Sequence, residues 1–165
     1  MTTSLPPRSA IAFRAAVDSD VPFLRHLYAT TREREMQLVP WTPEQKAAFL
    51  DMQFTAQKTH YEEYYPDCKF LVIEMEQAPI GRLYIDRADD DIRITDIALL
   101  PEFRGRGIGR MLMEEILEEG RTTGKRVTIH VEHDNPARRL YDRLGFRHVD
   151  TNGVYHLMEW SAEQT

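Results

Sequence analysis

Arg104-Gly105-Arg106-Gly107-Ile108-Gly109 is the stretch whose reading decides the fold. Ahead of it, Ile92, Ile94, Ile97 and Leu99 mark a long strand ending at Pro101. Behind it, Ile108, Met111, Leu112, Ile116 and Leu117 recur at helical spacing and predict a helix over Gly107–Gly120. The hexapeptide therefore joins a strand end to a helix start. Backbone N–H groups are free at such a place and the helix dipole favours negative charge, so phosphate oxygens bind there well. Glycines let the backbone come close to a ligand and reach torsions closed to other residues. Arg104, Arg106 and Arg110 add positive charge. A P-loop would end in Gly-Lys-Ser/Thr, which Gly109-Arg110-Met111 does not. A dinucleotide fingerprint counted from Gly105 would need its third glycine where Arg110 stands. What is left is Arg-x-x-Gly-x-Gly, carried by Arg104, Gly107 and Gly109.

Outward from this loop, the periodicity alternates between strand and helix. Ile11–Val17 reads as a first strand; Asp18-Ser19-Asp20 and Pro22 then open a helix carrying Phe23, Leu24, Leu27 and Tyr28 to about Arg34. Met36–Trp41 reads as a loop, and Thr42-Pro43-Glu44 opens a second helix that fades near Tyr61. Lys69–Met75 and Ile80–Arg87 form a hairpin around Glu76-Gln77-Ala78-Pro79, and Asp89-Asp90-Asp91 is a turn. Val127–Val131 is a short strand. Asp134-Asn135-Pro136 starts another helix, which Gly145 closes. Phe146–Val149 and Val154–Trp160 end the chain as strands around Asp150–Gly153. The reading is a flexible leader over 1–10 and one mixed α/β domain over 11–165.

The motif Arg104-x-x-Gly107-x-Gly109 resembles the loop with which the GNAT N-acetyltransferase superfamily holds the pyrophosphate of coenzyme A. Asp96-Ile97-Ala98-Leu99-Leu100-Pro101-Glu102-Phe103 is similar to the family's approach to that loop. Asn135-Pro136-Ala137-Arg138-Arg139-Leu140-Tyr141-Asp142-Arg143-Leu144-Gly145-Phe146 resembles the family's second motif, Asn-x-x-Ala-x-x-Leu-Tyr-x-x-x-Gly-Phe. The resemblance implies an α/β (α+β) fold with a mixed, mostly antiparallel central sheet and helices on both faces. It also implies acetyl-CoA as co-substrate and transfer of the acetyl group to a primary amine in a ternary complex.

Carried over residue by residue, backbone groups of Ile97, Ala98 and Leu99 would pair with the pantetheine arm. Those of Arg104, Gly105, Arg106, Gly107, Ile108 and Gly109, with Arg110 nearby, would hold the pyrophosphate. Asn135 matches the residue that binds the pantetheine arm and also suits a helix N-cap. Arg138 or Arg139 is a candidate for the 3′-phosphate, or a solvated surface cation. Tyr141, whose phenol is protonated at neutral pH, is the candidate acid for the leaving thiolate, or a core tyrosine packed on the thioester arm. The resemblance fixes no base, because Arg93 stands where some members carry a glutamate. Asp96 is the nearest carboxylate on that strand; it serves either as base or as a brace under a helix. Glu33, Glu35, Met36 and Trp41 between the first two helices, with Tyr155 and His156 on the last hairpin, would wall the acceptor. The Tyr61–Tyr65 cluster could contribute to it. Two other readings fit the same motifs: a catalytically silent coenzyme A sensor and a transferase for a longer acyl group.

Bulk properties set the remaining bounds. The chain has 165 residues, 42% hydrophobic and 29% charged, enough for one domain with a real core. The net charge of −6 argues against a dedicated nucleic-acid binder, although residues 101–147 hold ten Lys/Arg against eight Asp/Glu. No apolar run approaches a membrane span. The single cysteine, Cys68, excludes an internal disulfide, and the six histidines show no metal-ligand spacing. The expectation is a cytoplasmic enzyme without a metal, with a homodimer as a family-typical option.

Overall fold

The computed structural model describes residues 4–164. Its elements follow in the order β1 (Ile11–Ala15), α1 (Val21–Thr31), α2 (Glu33–Gln37), α3 (Pro43–Tyr64), β2 (Lys69–Met75), β3 (Ala78–Arg87), β4 (Asp91–Leu99), α4 (Ile108–Thr123), β5 (Arg126–Glu132), α5 (Arg138–Leu144), β6 (Arg147–Asn152) and β7 (Tyr155–Trp160). The strands form one seven-stranded sheet in the order β1-β2-β3-β4-β5-β7-β6. Only β4 and β5 run parallel, because α4 carries the chain between them; every other neighbouring pair is antiparallel.

Each face of the sheet collects the apolar set that alternation assigns to it. On one face Leu83, Ile85, Ile92, Ile94, Val127, Ile129 and Val131 pack under Ile108, Leu112 and Ile116 of α4 and Tyr141 of α5. The other face is covered by α1 and α3, whose Leu24, Tyr28 and Phe54 form a second, smaller cluster. α3 lays Gln57 on Arg82 and Tyr61 on Tyr84 of β3. Helices on both faces of a mainly antiparallel sheet are what the resemblance implies.

Several boundaries differ from the sequence reading, each for a local reason. The stretch after Arg32 coils into α2 before the loop begins. The hairpin between β2 and β3 turns on Glu76 and Gln77 alone, at φ 51 and 70, so Ala78 and Pro79 are already paired with Met75 and Glu74. Asp91 belongs to β4 and is buried, with its carboxylate accepting from the Thr128 hydroxyl at 3.0 Å. α5 starts at Arg138 rather than at Pro136, and the last hairpin turns at Gly153-Val154 instead of over four residues. The capping signal at Thr42 was sound, since Thr42 accepts from the Gln45 amide at 3.1 Å while the Gln45 side chain returns to the Thr42 amide; Asp20, the N-cap of α1, makes no side-chain cap. Of the leader, Ser4–Ala10 is described, and Arg8 pairs with Glu115 of α4.

Two irregularities shape the middle of the sheet. Tyr84 opposes Asp96 and Ile85 opposes Ile94, so Thr95 is an extra residue that shifts β4 by one position. Ile92 and Ile94 therefore share a face with Ile97 and Leu99, and Asp96 is turned to the α3 side. At the other end, a Cβ on Gly81 would lie 2.3 Å from the Ala98 carbonyl oxygen and 2.8 Å from Leu99 Cδ2. Gly81→Ala should accordingly lower stability by about 1–3 kcal/mol, the usual cost of overpacking against backbone. Denaturant unfolding checks this, and an unchanged midpoint would contradict it.

Candidate active site

Sequence places the loop Arg104–Gly109 between β4 and α4, and the backbone confirms its special demands. Gly105 and Gly107 have φ 72 and 87, a region costly for any side chain. Gly107 is the N-cap of α4 and its carbonyl starts the helix by accepting from the Met111 amide at 3.0 Å. No side chain caps that end, which leaves the amides of the first turn without a side-chain acceptor. A Cβ on Gly109 would meet nothing within 4 Å, whereas one on Gly107 would touch Leu5 Cδ1 at 3.3 Å. Gly107 is thus required by its torsion, and Gly109 faces open space.

The arginines of the loop are partly committed to the protein. Arg104 donates from Nε to the Leu99 carbonyl at 2.9 Å and from Nη2 to the Thr30 hydroxyl at 3.2 Å, tying the loop to β4 and α1. Arg106 donates to the Ser4 carbonyl at 3.3 Å and lies 5.6 Å from the Phe103 ring centre. Arg110 pairs with Glu114 one turn on. Backbone amides rather than free guanidinium groups therefore dominate the head of α4.

Below the loop the sheet opens. The β4–β5 ladder runs from Asp91–Arg126 to Ile94–Ile129 and stops, although β4 continues to Leu99 and β5 to Glu132. The Leu100 amide donates to Ile80, so strand alternation turns the backbone of Ala98 to β3 and that of Ile97 and Leu99 into the gap. Of the three residues named for pairing with an extended ligand, two face the gap and Ala98 does not.

The gap lies between two groups singled out from the sequence. Tyr141 is 4% exposed on the α5 side and packs at a tilt against Phe146 with ring centres 5.8 Å apart. Burial holds its phenol well above the usual range, and the Asp96 carboxylate pushes it further in the same direction. Asp96 sits on the α3 side of β4, so the two act on each other across the opening. Asp96 is not a free carboxylate. It forms an ion pair with Arg82, which is 3% exposed, donates to Gln57 at 3.2 Å and lies 4.8 Å from the Tyr84 ring centre. The carboxylate is thus engaged by a cation.

His130 was overlooked in the sequence, where histidines were judged only for metal spacing. It is the first residue of β5 beyond the last paired position, on the same face as Thr128 and Glu132 and therefore as Asp96. Desolvation, and after it the Arg93 charge, hold its imidazole below the ordinary value, so it is neutral near pH 7. The alternation Val127, Ile129, Val131 already put His130 on the polar face; only the end of the ladder gave it significance.

Around the mouth, Arg32 bridges α1–α2 to β5 by two bonds to Glu132, at 2.9 and 2.6 Å, and also pairs with Glu35. Tyr155 stands opposite Glu132 on β7, and burial followed by the Glu132 charge raises its phenol. His156 opposes buried Val131 and so points to the other face, stacked on His133 with ring nitrogens 2.7 Å apart. It does not join the acceptor wall. Trp41 packs on Phe49 of α3 with ring centres 5.1 Å apart, and Glu33 is exposed. Asn135 accepts from the Ala137 amide at 2.9 Å, a turn before α5, and Arg138 donates to the His133 carbonyl at 2.6 Å. Among the described residues no group of three His, Cys, Asp or Glu side chains is placed to hold a metal ion, and no helix is long and apolar enough to cross a membrane.

Comparison with known proteins agrees with this layout. Residues 24–146 match the model of the acetyltransferase (GNAT) family. A ribosomal protein bS18-alanine N-acetyltransferase of Haemophilus influenzae is 29% identical over 125 residues, covering 75% of this chain and 76% of the relative. The PaiA N-acetyltransferase of Thermoplasma acidophilum, solved in complex with coenzyme A, superposes with a TM-score of 0.67 at 19% identity, over 92% of this chain and 98% of that one. The spermidine N-acetyltransferase of Vibrio cholerae, solved with coenzyme A and spermine, gives 0.61 at 20% identity, over 94% and 98% of the two chains. With a family match across most of its length, this chain belongs to the GNAT acetyltransferases and is an acetyl-CoA-dependent N-acetyltransferase.

Proposed function

We propose that the opening between β4 and β5 seats the thioester arm of acetyl-CoA, and that a primary amine reaches it from the α1–α3 face. The observation that carries this reading is the early end of the β4–β5 ladder, with Tyr141 on one side of the opening and Asp96 and His130 on the other. The Ile97 backbone groups and the Leu99 N–H suit pairing with an extended amide chain as a further strand would pair, while the Leu99 carbonyl already accepts from Arg104. The bare amides at the head of α4, with Gly105, Gly107, Ile108 and Gly109, suit the diphosphate. The Leu99 N–H is the candidate donor for the thioester carbonyl.

The acetyl-CoA co-substrate supplies an activated acyl carbon; the chain supplies alignment and proton handling. As the nitrogen bonds to the acyl carbon, the C–S bond breaks, one proton must leave nitrogen and one must reach sulfur. A free amine with a pKa of about 10 is mostly protonated at neutral pH, so an acceptor is needed. Asp96, held by Arg82, is poorly placed to be that acceptor. Neutral His130 takes the role, directly or through water, and Asp96 with Arg82 fixes the floor. Tyr141 donates to the sulfur. A thiol with a pKa of about 8.5 is more acidic than the phenol, so the hydrogen bond to the developing thiolate matters more than early proton transfer.

The acceptor class is an amine on a small molecule or a protein. Two of the similar proteins are named for such acceptors, a ribosomal protein's alanine and spermidine. Thiol release from acetyl-CoA across peptide N-termini, lysines and polyamines tests the reading; no acceleration by any amine, with coenzyme A still bound, would favour a silent cofactor binder. For His130, the expected profile of kcat/KM has an acid limb below pH 6.5, since a base with a lowered pKa is lost only at lower pH. His130→Phe should cut kcat/KM by about 10²-fold and take one unit of slope from that limb. An unaltered limb would remove His130 from this role.

A further inference from the structure

We propose a second small-molecule site, away from the acyl-transfer opening, that takes a monoamine with a compact apolar body. A cavity of about 120 Å³ opens between the start of α1, the second half of α3 and the sheet. That is close to the roughly 150 Å³ in which an engineered apolar cavity accepts benzene. Its inner walls are Leu24, Phe54, Phe70 and Tyr84, with Tyr61 closing the side toward Asp96. The aromatic walls are braced edge-on: Phe70 and Tyr84 have ring centres 4.8 Å apart, and Tyr61 and Tyr84 5.3 Å. Burial keeps both tyrosines neutral, so the rings offer uncharged π-faces.

The mouth carries the complementary charge. Asp18, Lys58 and Glu62 line it, and Lys58 pairs with Glu62 while also feeling Asp18. Two carboxylates face one ammonium, leaving one negative charge beside an aromatic interior. A single ammonium above an apolar body satisfies both features through a charge contact at Asp18 or Glu62 and cation–π contact within. A dianion fails on charge, and a long polyamine has no compact apolar body to fill the interior.

The site communicates with the acceptor face through shared walls. The Tyr61 hydroxyl reaches toward the Thr95 carbonyl at 3.5 Å, in the bulge that orients Asp96, and Tyr84 underlies the Arg82 guanidinium. An occupant pressing on these two rings bears on the Arg82–Asp96 floor. The proposal does not rest on the acyl-transfer reading, because the cavity is defined without coenzyme A.

The test is a titration of the full chain with 2-phenylethylamine and with neutral 2-phenylethanol, followed by NMR of the Val17, Val21 and Leu24 methyl groups. Saturable shifts at these methyls in the millimolar range or below, with the amine favoured about tenfold, are expected. Val21→Trp, which fills the cavity, should abolish the shifts at the Val17 and Leu24 methyls. Asp18→Asn and Glu62→Gln, at the surface, should erase the preference for the amine while leaving the alcohol unaffected. Absence of saturable shifts at these methyls, their survival at Val17 and Leu24 in Val21→Trp, or equal binding of amine and alcohol to the parent chain would each overturn the proposal.

Discussion

Tyr141→Phe should lower kcat by about 10²-fold or more and leave the affinity for acetyl-CoA within about twofold of the parent. The ring of Tyr141 is part of the core that packs α5 on Phe146, and phenylalanine keeps that packing. What is removed is the hydroxyl that the proposed mechanism uses. The phenol is kept protonated by burial and by the Asp96 charge, so it can only donate to an anion beside it. An interaction made only as sulfur gains charge lowers kcat and kcat/KM together and spares ground-state binding. Steady-state kinetics with calorimetric affinities of both proteins read this split. Equal kcat values would reduce Tyr141 to a packing residue.

Gly107→Val should weaken coenzyme A binding by about 10²-fold or more, because a β-branched residue at φ 87 is a genuine backbone outlier. The loss does not come from a side chain placed over the phosphates: the added Cβ points at Leu5. It comes from rotation of the loop that presents the first amides of α4. Gly109→Ala supplies the contrast. Its helical torsion tolerates alanine and its Cβ meets no protein atom within 4 Å, so the unfolding midpoint should hold or rise while coenzyme A affinity falls. Calorimetric titration of both variants checks the pair; parent-like binding by Gly107→Val would show that the loop torsion is dispensable.

The difference between these two glycines illustrates what the sequence carries. The spacing Arg104-x-x-Gly107-x-Gly109 located the loop and the helix behind it, but only torsions separate the glycine needed for backbone from the one facing open space. The order of the strands along the chain was legible because Lys69–Met75 and β4 are apolar runs bounded by turn residues, and α4 has an apolar stripe. Pro79 misled because it lacks a donor and resembles a turn residue, whereas a two-residue turn with positive φ at Glu76 and Gln77 lets it sit opposite Glu74.

The chemistry was legible in part. Tyr141 could be turned inward from helical spacing with Ala137 and Leu144. Asp96 was placed on the correct face, yet its partner Arg82 lies on another strand, and no local pattern announces an ion pair set by a bulge at Thr95. His130 depends on where two parallel strands part company, a long-range fact. The acceptor wall was read as residues sharing a hairpin, but Tyr155 and His156 are neighbours on a strand and face opposite sides.

Amide hydrogen exchange with and without coenzyme A bears most directly on the opening between β4 and β5. The backbone geometry predicts slower exchange at Ile97 and Leu99 and over Arg106–Gly109 when coenzyme A binds, with the paired segment Asp91–Ile94 unchanged. Coenzyme A that binds tightly yet leaves Ile97 and Leu99 exchanging at their free rates would contradict the assignment of this opening as its seat.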